Sequence, residues 1–423
     1  MSEKAVKNLE HTTPEEDIEP RHRIPDGGTK AWVTVLGVWF VLFASFGYVY
    51  SFGVYQDYYT RFYLSDHSPS KIAWIGSLQL MLPFLLGLVS GKLFDAGYFY
   101  ALQFAGGVIL TVSLFGLSLA KPQKYNQVFL SQGVGMGIGI GFIFVPSLSV
   151  LSHYFMHKKA WATGVAMTGV SAGAIVFPIM ANHFLPSLGF AKAVRATGYL
   201  VIGTLVVGNL LMRASPSHAA EQPRPATRSI FTDPPYLFGI VGAFLCMFGF
   251  YFPLIYLQLY AIEHGIDRNL AFYSISIMNA AGIPGRLTAN YLADIHGPWN
   301  LLIPVTILTS ASIFSIFGVH DSGSLIAVSI FYGWFSGAWL SVCVAALASS
   351  ARHPNEVGLR TGLGLALGSF ATLGSAPIQG DLLSSTFLWS KPIIFSGAIL
   401  AIPPISFLLG RQFLVRERKT QRV

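Results

Sequence analysis

Long apolar runs separated by short polar gaps set the rhythm of this chain. A helix that crosses a bilayer needs about 20 mostly apolar residues, and twelve stretches reach that length. They run approximately over 31–55, 72–93, 100–119, 126–152, 161–185 and 194–212, then over 236–262, 270–293, 301–319, 324–349, 358–379 and 391–409. Between the sixth and seventh stands "RASPSHAAEQPRPATRSIFTDPP", residues 213–235, where Pro, Ser and Arg replace the apolar residues. That composition reads as a linker. The pattern predicts an all-α membrane protein of twelve transmembrane helices in two pseudo-symmetric six-helix halves. Its expected parts are a tail over 1–29, a half over 30–212, the linker over 213–235, a second half over 236–410 and a basic tail over 411–423.

Composition agrees with the pattern. The chain is 53% hydrophobic and 11% charged, with mean hydropathy +0.56, whereas soluble proteins carry roughly 25% charged residues. Charge this sparse cannot cover a surface in water, so the bilayer is expected to be part of the solvent. The first thirty residues hold seven acidic residues and no short apolar core before a small-residue cleavage site, so the first helix is expected to act as an uncleaved signal. Cys246 and Cys343 lie in apolar runs and read as small buried hydrophobes, not as a disulfide framework.

The charge distribution bears on orientation. With Lys4, Lys7, Arg195 and Arg286 set aside, and with both termini taken as cytoplasmic, sixteen Lys/Arg fall on the inner side and seven on the outer. This matches the positive-inside bias and predicts a multi-pass plasma-membrane protein. The net charge of +8 is then a topology signal and a contact with anionic lipid, not a nucleic-acid footprint. The expected partners are the bilayer and a small organic solute, with protons as the candidate coupling ion and no obligate protein partner. No cofactor and no metal site are expected.

The halves repeat. "GKLFDAGYFYA" (91–101) follows the second apolar stretch and "NYLADIHGPWN" (290–300) the eighth, pairing Leu93 with Leu292 and Asp95 with Asp294. Duplicated halves suit alternating access, in which one half rocks against the other about a central site. Asp95 and Asp294 are expected to cap or pair with a neighbouring helix end and hold one conformation; the other reading is a solvated turn carboxylate. In "GVGMGIGIG", Gly133, Gly137 and Gly141 share a face at spacing four. They predict either a contact that slides between two packings or simple tight packing.

The spacing G-x-L-x-D-x-x-G resembles the loop signature of the major facilitator superfamily, with Gly97 one place early after Asp95. Two further stretches narrow the resemblance. "PDGGTKAW" carries Asp26, Gly27, Gly28 and Trp32, and "HYFMHKKAWATGVAMTGVSAG" carries Tyr154, Phe155, Lys158, Lys159, Ala162, Gly164, Ala166, Gly169 and Gly173. Together they resemble the monocarboxylate porter family of that superfamily, most of all its fungal branch, and "GSAPIQGDL" is similar to that family's helix 11 ending. The resemblance implies a substrate-pairing arginine in helix 8, which aligns with Arg286. It also implies a helix 1 lysine and a helix 8 aspartate tied to proton coupling; here those places hold Tyr50 and Gly282.

Arg286 also stands out from the residues themselves. A guanidinium keeps its charge and offers a two-pronged fork to a carboxylate. At the centre of a helix in lipid it costs about 2.5–3.5 kcal/mol, so it reads as functional. Eight residues separate it from Asp294, about 12 Å of helix, so snorkelling to the interface is the competing reading. Pro284 is expected to bend the helix beside it. Asn279, Tyr50 and Gln79 are expected to face the same cavity, and Trp74, Trp161 and Trp299 to form an interfacial belt.

The leading expectation is a secondary transporter of a small, monocarboxylate-like organic anion. The alternative is a carrier or exporter of a neutral or larger metabolite. The chain shows no His-x-x-His pattern, no nucleophile elbow and no Walker lysine, which speaks against an enzyme or an ATP-driven pump.

Overall fold

The computed structural model describes residues 26–214, 231–352, 356–383 and 388–423. Most of the expected first tail (1–25) and of the linker (215–230) lies outside the described residues. The rest is helical. The elements are α1 (Thr29–Tyr63), α2 (Ser70–Asp95), α3 (Phe99–Ser118), α4 (Tyr125–His153), α5 (Lys159–Leu188), α6 (Phe190–Leu211), α7 (Pro234–Glu263), α8 (Arg268–His296), α9 (Pro298–Gly318), α10 (Ser322–Ser349), α11 (Val357–Leu383) and α12 (Ser390–Arg418). Eleven of these are long and apolar enough to cross a membrane by composition alone; α8 is the polar one.

Most helices run beyond the apolar stretches that announce them. Hydropathy marks only the part of a helix that needs lipid, while caps and turns decide where it ends. α12 continues about two and a half turns past the expected limit, to Arg418, where Lys419 takes a left-handed backbone with φ 52°. At its start, α8 is capped by Asp267, whose carboxylate accepts from Leu270 N–H at 3.0 Å. α10 begins in a capping box between Asp321 and Ser324.

Two helices are broken in corresponding places. α1 is interrupted at Ser45 and again near Tyr50, with Ser45 and Ser51 hydroxyls donating back to the carbonyls of Val41 and Tyr48 at 2.7 and 2.6 Å. Such back-bonding competes with the helix ladder and bends it. α7 is interrupted at Tyr251, two residues before Pro253, which has no N–H to give. Pro284, by contrast, lies within an unbroken α8, where Thr288 Oγ1 donates to its carbonyl at 2.8 Å.

Residues 26, 95, 156–160, 233, 294–300, 352, 356–360 and 423 meet on one face of the bundle, called here the tail face. The first six helices and the last six approach each other along α5/α8 and α2/α11. Small residues permit this. A Cβ on Gly91 or Gly362 would strike the backbone of the facing helix. Gly282 and Gly337 cross in the same way inside the second group, where a Cβ on Gly337 would lie 2.7 Å from the Gly282 Cα.

The glycine series of α4 is divided between two neighbours. Gly133, Gly137 and Gly141 face α2, near Ile75, Leu82 and Leu86, whereas Gly139 faces Leu110 of α3. Both contacts lie within the first six helices. Trp299 departs from the expected interfacial belt: it is fully buried, with Gly239, Gly410 and Phe407 around it, because the glycines leave room for an indole. Cys246 and Cys343 are buried free thiols.

Gly337→Val should lower the thermal midpoint in detergent, at a cost of about 1–3 kcal/mol for overpacking. Gly107→Ala, which meets nothing within 4 Å, should leave it unchanged. Equal midpoints for the two variants would refute the close α8/α10 crossing.

Candidate solute site and the carboxylates of the tail face

The polar residues of α8 share one stripe. Asn279, Arg286, Asn290 and Asp294 are spaced by seven, four and four, so they line up along a helix. Their direction explains why this helix is the least apolar: the stripe faces protein, not lipid. Arg286 is 3% exposed. Its Nε donates to Ser171 Oγ of α5 at 3.2 Å, across the boundary between the two groups of six. Its Nη1 is buried without a hydrogen-bond partner. Asn290 Nδ2 donates to the Arg286 carbonyl at 2.7 Å and to Ser341 Oγ at 2.6 Å, tying the arginine's turn to α10.

Tyr50, Asn279 and Arg286 line one crevice with Ser171, Phe250 and Met278. Its volume is about 10 Å³, room for roughly one water molecule. Tyr50 stands at the break in α1 and Tyr251 at the break in α7, and both lie close enough to Arg286 to interact with it electrostatically. Gln79 is not brought there. It is fully buried against α4, its Nε2 directed at Met136 Sδ at 3.7 Å, because that face of α2 packs inside the first six helices. Snorkelling does not describe Arg286, whose guanidinium stays in the crevice.

At the tail face, two carboxylates repeat one geometry. Asp95, at the end of α2, accepts from Gly358 N–H at 3.1 Å and Leu359 N–H at 2.7 Å in the first turn of α11. Asp294, near the end of α8, accepts from Ala160 N–H at 2.9 Å and Trp161 N–H at 2.8 Å in the first turn of α5. Each carboxylate therefore caps a helix of the other group, and α5 has no side-chain cap of its own. An anion there also meets the positive end of the helix dipole. Lys159 is half-buried and close enough to Asp95 to interact electrostatically, whereas Lys158 is exposed, with its N–H 3.4 Å from Asp26 Oδ1.

The same two loops are held from their own side as well. Asp26 accepts from Met156 and His157 N–H at 2.6 and 2.7 Å. It does so in a left-handed conformation (φ 48°) followed by Gly27 and Gly28 at φ 147° and 93°, values that require glycine. Trp32 meets Phe155 edge-on at 5.4 Å. Before α7, Asp233 stands in the corresponding place. It pairs with Arg360, and Arg352 Nη2 lies 3.4 Å from its Oδ1. Arg360 is 1% exposed and also bonds Glu356 at 2.8 Å.

Sequence reasoning missed Ser171, Tyr251, Asp233 and Arg360. One signal was present: Phe46-Gly47-Tyr48-Val49-Tyr50 in α1 echoes Phe248-Gly249-Phe250-Tyr251-Phe252 in α7. The Glu356/Arg360 spacing of four was another.

The model of the Major Facilitator Superfamily matches residues 31–376. The chain belongs to the major facilitator superfamily. It is 39% identical over 395 residues to the aspyridones efflux protein apdF of Emericella nidulans, covering 93% of this chain and 80% of that one. It is 35% identical to the fujikurins efflux protein of Gibberella fujikuroi, covering 93% and 85%. Among solved structures it is similar to the E. coli fucose:proton symporter FucP, with TM-score 0.69 at 13% identity over 90% of this chain and 98% of that one. It is also similar to the human organic anion transporter MFSD10, with TM-score 0.68 at 13% identity over 90% and 100%. These two likenesses establish the shared fold. The family match is to the superfamily as a whole and does not single out its monocarboxylate porters.

Removing either cross-half cap should loosen the tail face. Losing a helix cap costs about 0.5–2 kcal/mol, so Asp95→Ala or Asp294→Ala should each raise maleimide labelling from the tail side severalfold at Ser336→Cys, a position on α10 that lines the Arg286 crevice, in a background without Cys246 and Cys343. Unchanged labelling in both variants would show that the caps do not hold the face closed.

Proposed function

We propose that this transporter exports a secondary metabolite bearing an acidic or strongly hydrogen-bond-accepting group, by alternating access, with Arg286 as its anchor. The observation that carries this reading is the buried Arg286 Nη1, which has no partner in a crevice at the boundary between the halves. A desolvated donor left unmatched is costly, and an incoming oxygen acceptor removes that cost. Asn279, Tyr50 and Ser171 add neutral polar groups, while Phe250, Leu254 and Met278 suit an apolar body.

A crevice of about 10 Å³ admits no such solute as it stands. Loading requires the halves to separate, and Asp95 and Asp294 act as the latch that tail-face opening must break. The glycine face of α4 packs within its own half, so it serves as tight packing. Relatives named for efflux of aspyridones and fujikurins support export over uptake. The halves are taken to meet at the linker, and the tail face is taken as cytoplasmic, on the positive-inside bias.

The test is transport into everted membrane vesicles from cells expressing the chain, with aspyridones and fujikurins beside labelled pyruvate, lactate and acetate, with and without a pH gradient. The expected result is accumulation of a larger metabolite. Arg286→Lys keeps the charge but loses the fork, and should reduce that transport at least tenfold with the amount of inserted protein unchanged. Accumulation of a monocarboxylate alone, stimulated by the gradient, would replace this reading with proton-coupled monocarboxylate transport. Undiminished transport by Arg286→Lys would remove Arg286 from the site.

A further inference from the structure

Beyond α12 the chain turns back over the tail face. The Val423 main-chain oxygen accepts from Trp299 and Asn300 N–H at 3.1 and 3.4 Å, and Asn300 Nδ2 donates to the Gln421 carbonyl at 2.7 Å. Val423 itself is 2% exposed. Between this return and the α8–α9 turn lies a cavity of about 460 Å³. Two guanidiniums line it, from Arg411 and Arg422, beside His296.

The hydrogen bonds of those arginines are to neutral acceptors. Arg411 Nε donates to Asn300 Oδ1, and its Nη2 to Gln421 Oε1 at 2.9 Å. Arg422 donates to the backbone carbonyl of Asp294. Arg61, Arg352 and Arg360 each have a carboxylate within ion-pair distance, but no such pair is formed by Arg411 or Arg422 among the described residues. Arg411 is met by amides alone, and Arg422 is also close enough to the Asp294 carboxylate to interact with it; two positive forks around one cavity against that single acid leave a place for an anion.

The walls say which anion. Ile295 and Leu301 give the cavity an apolar side, and the exposed Tyr291 and Leu292 continue that strip along α8. Exposed apolar residues on a spanning helix face lipid, so the cavity opens where hydrocarbon meets headgroups. The surrounding segment is basic as well: Arg411, Arg416, Arg418, Lys419 and Arg422 stand against the single acid Glu417. A basic cluster directly beyond a spanning helix attracts anionic lipid.

We propose that this cavity binds the phosphate of an anionic phospholipid headgroup, gripped by Arg411 and Arg422, with an acyl chain lying along α8. Because Arg422 also holds the Asp294 backbone, an occupied cavity braces the end of α8 that caps α5.

Native mass spectrometry of the purified chain in neutral detergent tests this, with phosphatidic acid, phosphatidylcholine and inorganic phosphate as separate probes. Phosphatidic acid should bind at least tenfold more tightly than phosphatidylcholine. Arg422→Gln, on an exposed side chain, should weaken it severalfold, and Arg411→Gln/Arg422→Gln at least tenfold, while Arg416→Gln leaves it near wild type. Gel filtration of each variant checks folding. Inorganic phosphate competing only at millimolar concentration supports the lipid as the source. Competition at micromolar concentration overturns the lipid in favour of a soluble phosphate. Equal binding of the two lipids, or equal losses in Arg416→Gln and Arg422→Gln, would overturn the site.

Discussion

Two carboxylates each cap a helix that belongs to the other half. A helix start leaves N–H groups without partners, and near a membrane they are costly to leave bare. α5 carries no side-chain cap of its own and takes one from Asp294; the first turn of α11 takes one from Asp95. The contact between the halves at the tail face therefore also satisfies these backbone groups. Asp26 and Asp233 hold the same loops from within each half, so the N–H groups are presented at fixed positions. The arrangement also gives the "PDGGTKAW" and "HYFMHKKAW" stretches a shared physical purpose, since they pack on each other.

The cap at Asp294 and the crevice at Arg286 belong to one helix. About two turns of α8 separate them, with Asn290 between, bonded to the Arg286 carbonyl and to Ser341. Motion of α8 relative to α5 would change both the Arg286–Ser171 contact and the Asp294 cap. The glycines along α5/α8 and α2/α11 let the backbones come close enough for such short polar contacts to form at all. Arg286 and the Asp294 cap are thus linked through one helix, without a separate relay.

Twelve long helices, eleven of them apolar enough to span, the duplicated aspartates and the oddity of Arg286 were legible in the sequence because each rests on local chemistry. Hydrocarbon demands long apolar runs, and a buried charge in such a run is too costly to be casual. Which residues join Arg286 was not legible. Gln79 and Asn279 look alike as amides in apolar helices, yet one faces α4 and the other the crevice. Hydropathy carries no direction around a helix that is apolar on every side. Ser171 and Tyr251 were hidden for the same reason, since serine and tyrosine are ordinary in membrane helices.

The sequence alone determined the class of protein, its two-fold repeat and the helix that bears Arg286, since these follow from solvent and period. Tertiary structure decided the pairings: Asp95 with α11, Asp294 with α5, Trp299 in a buried glycine-lined slot and the tail over α9. Each of those joins residues sixty or more positions apart, and only the packing of helix on helix sets such distances.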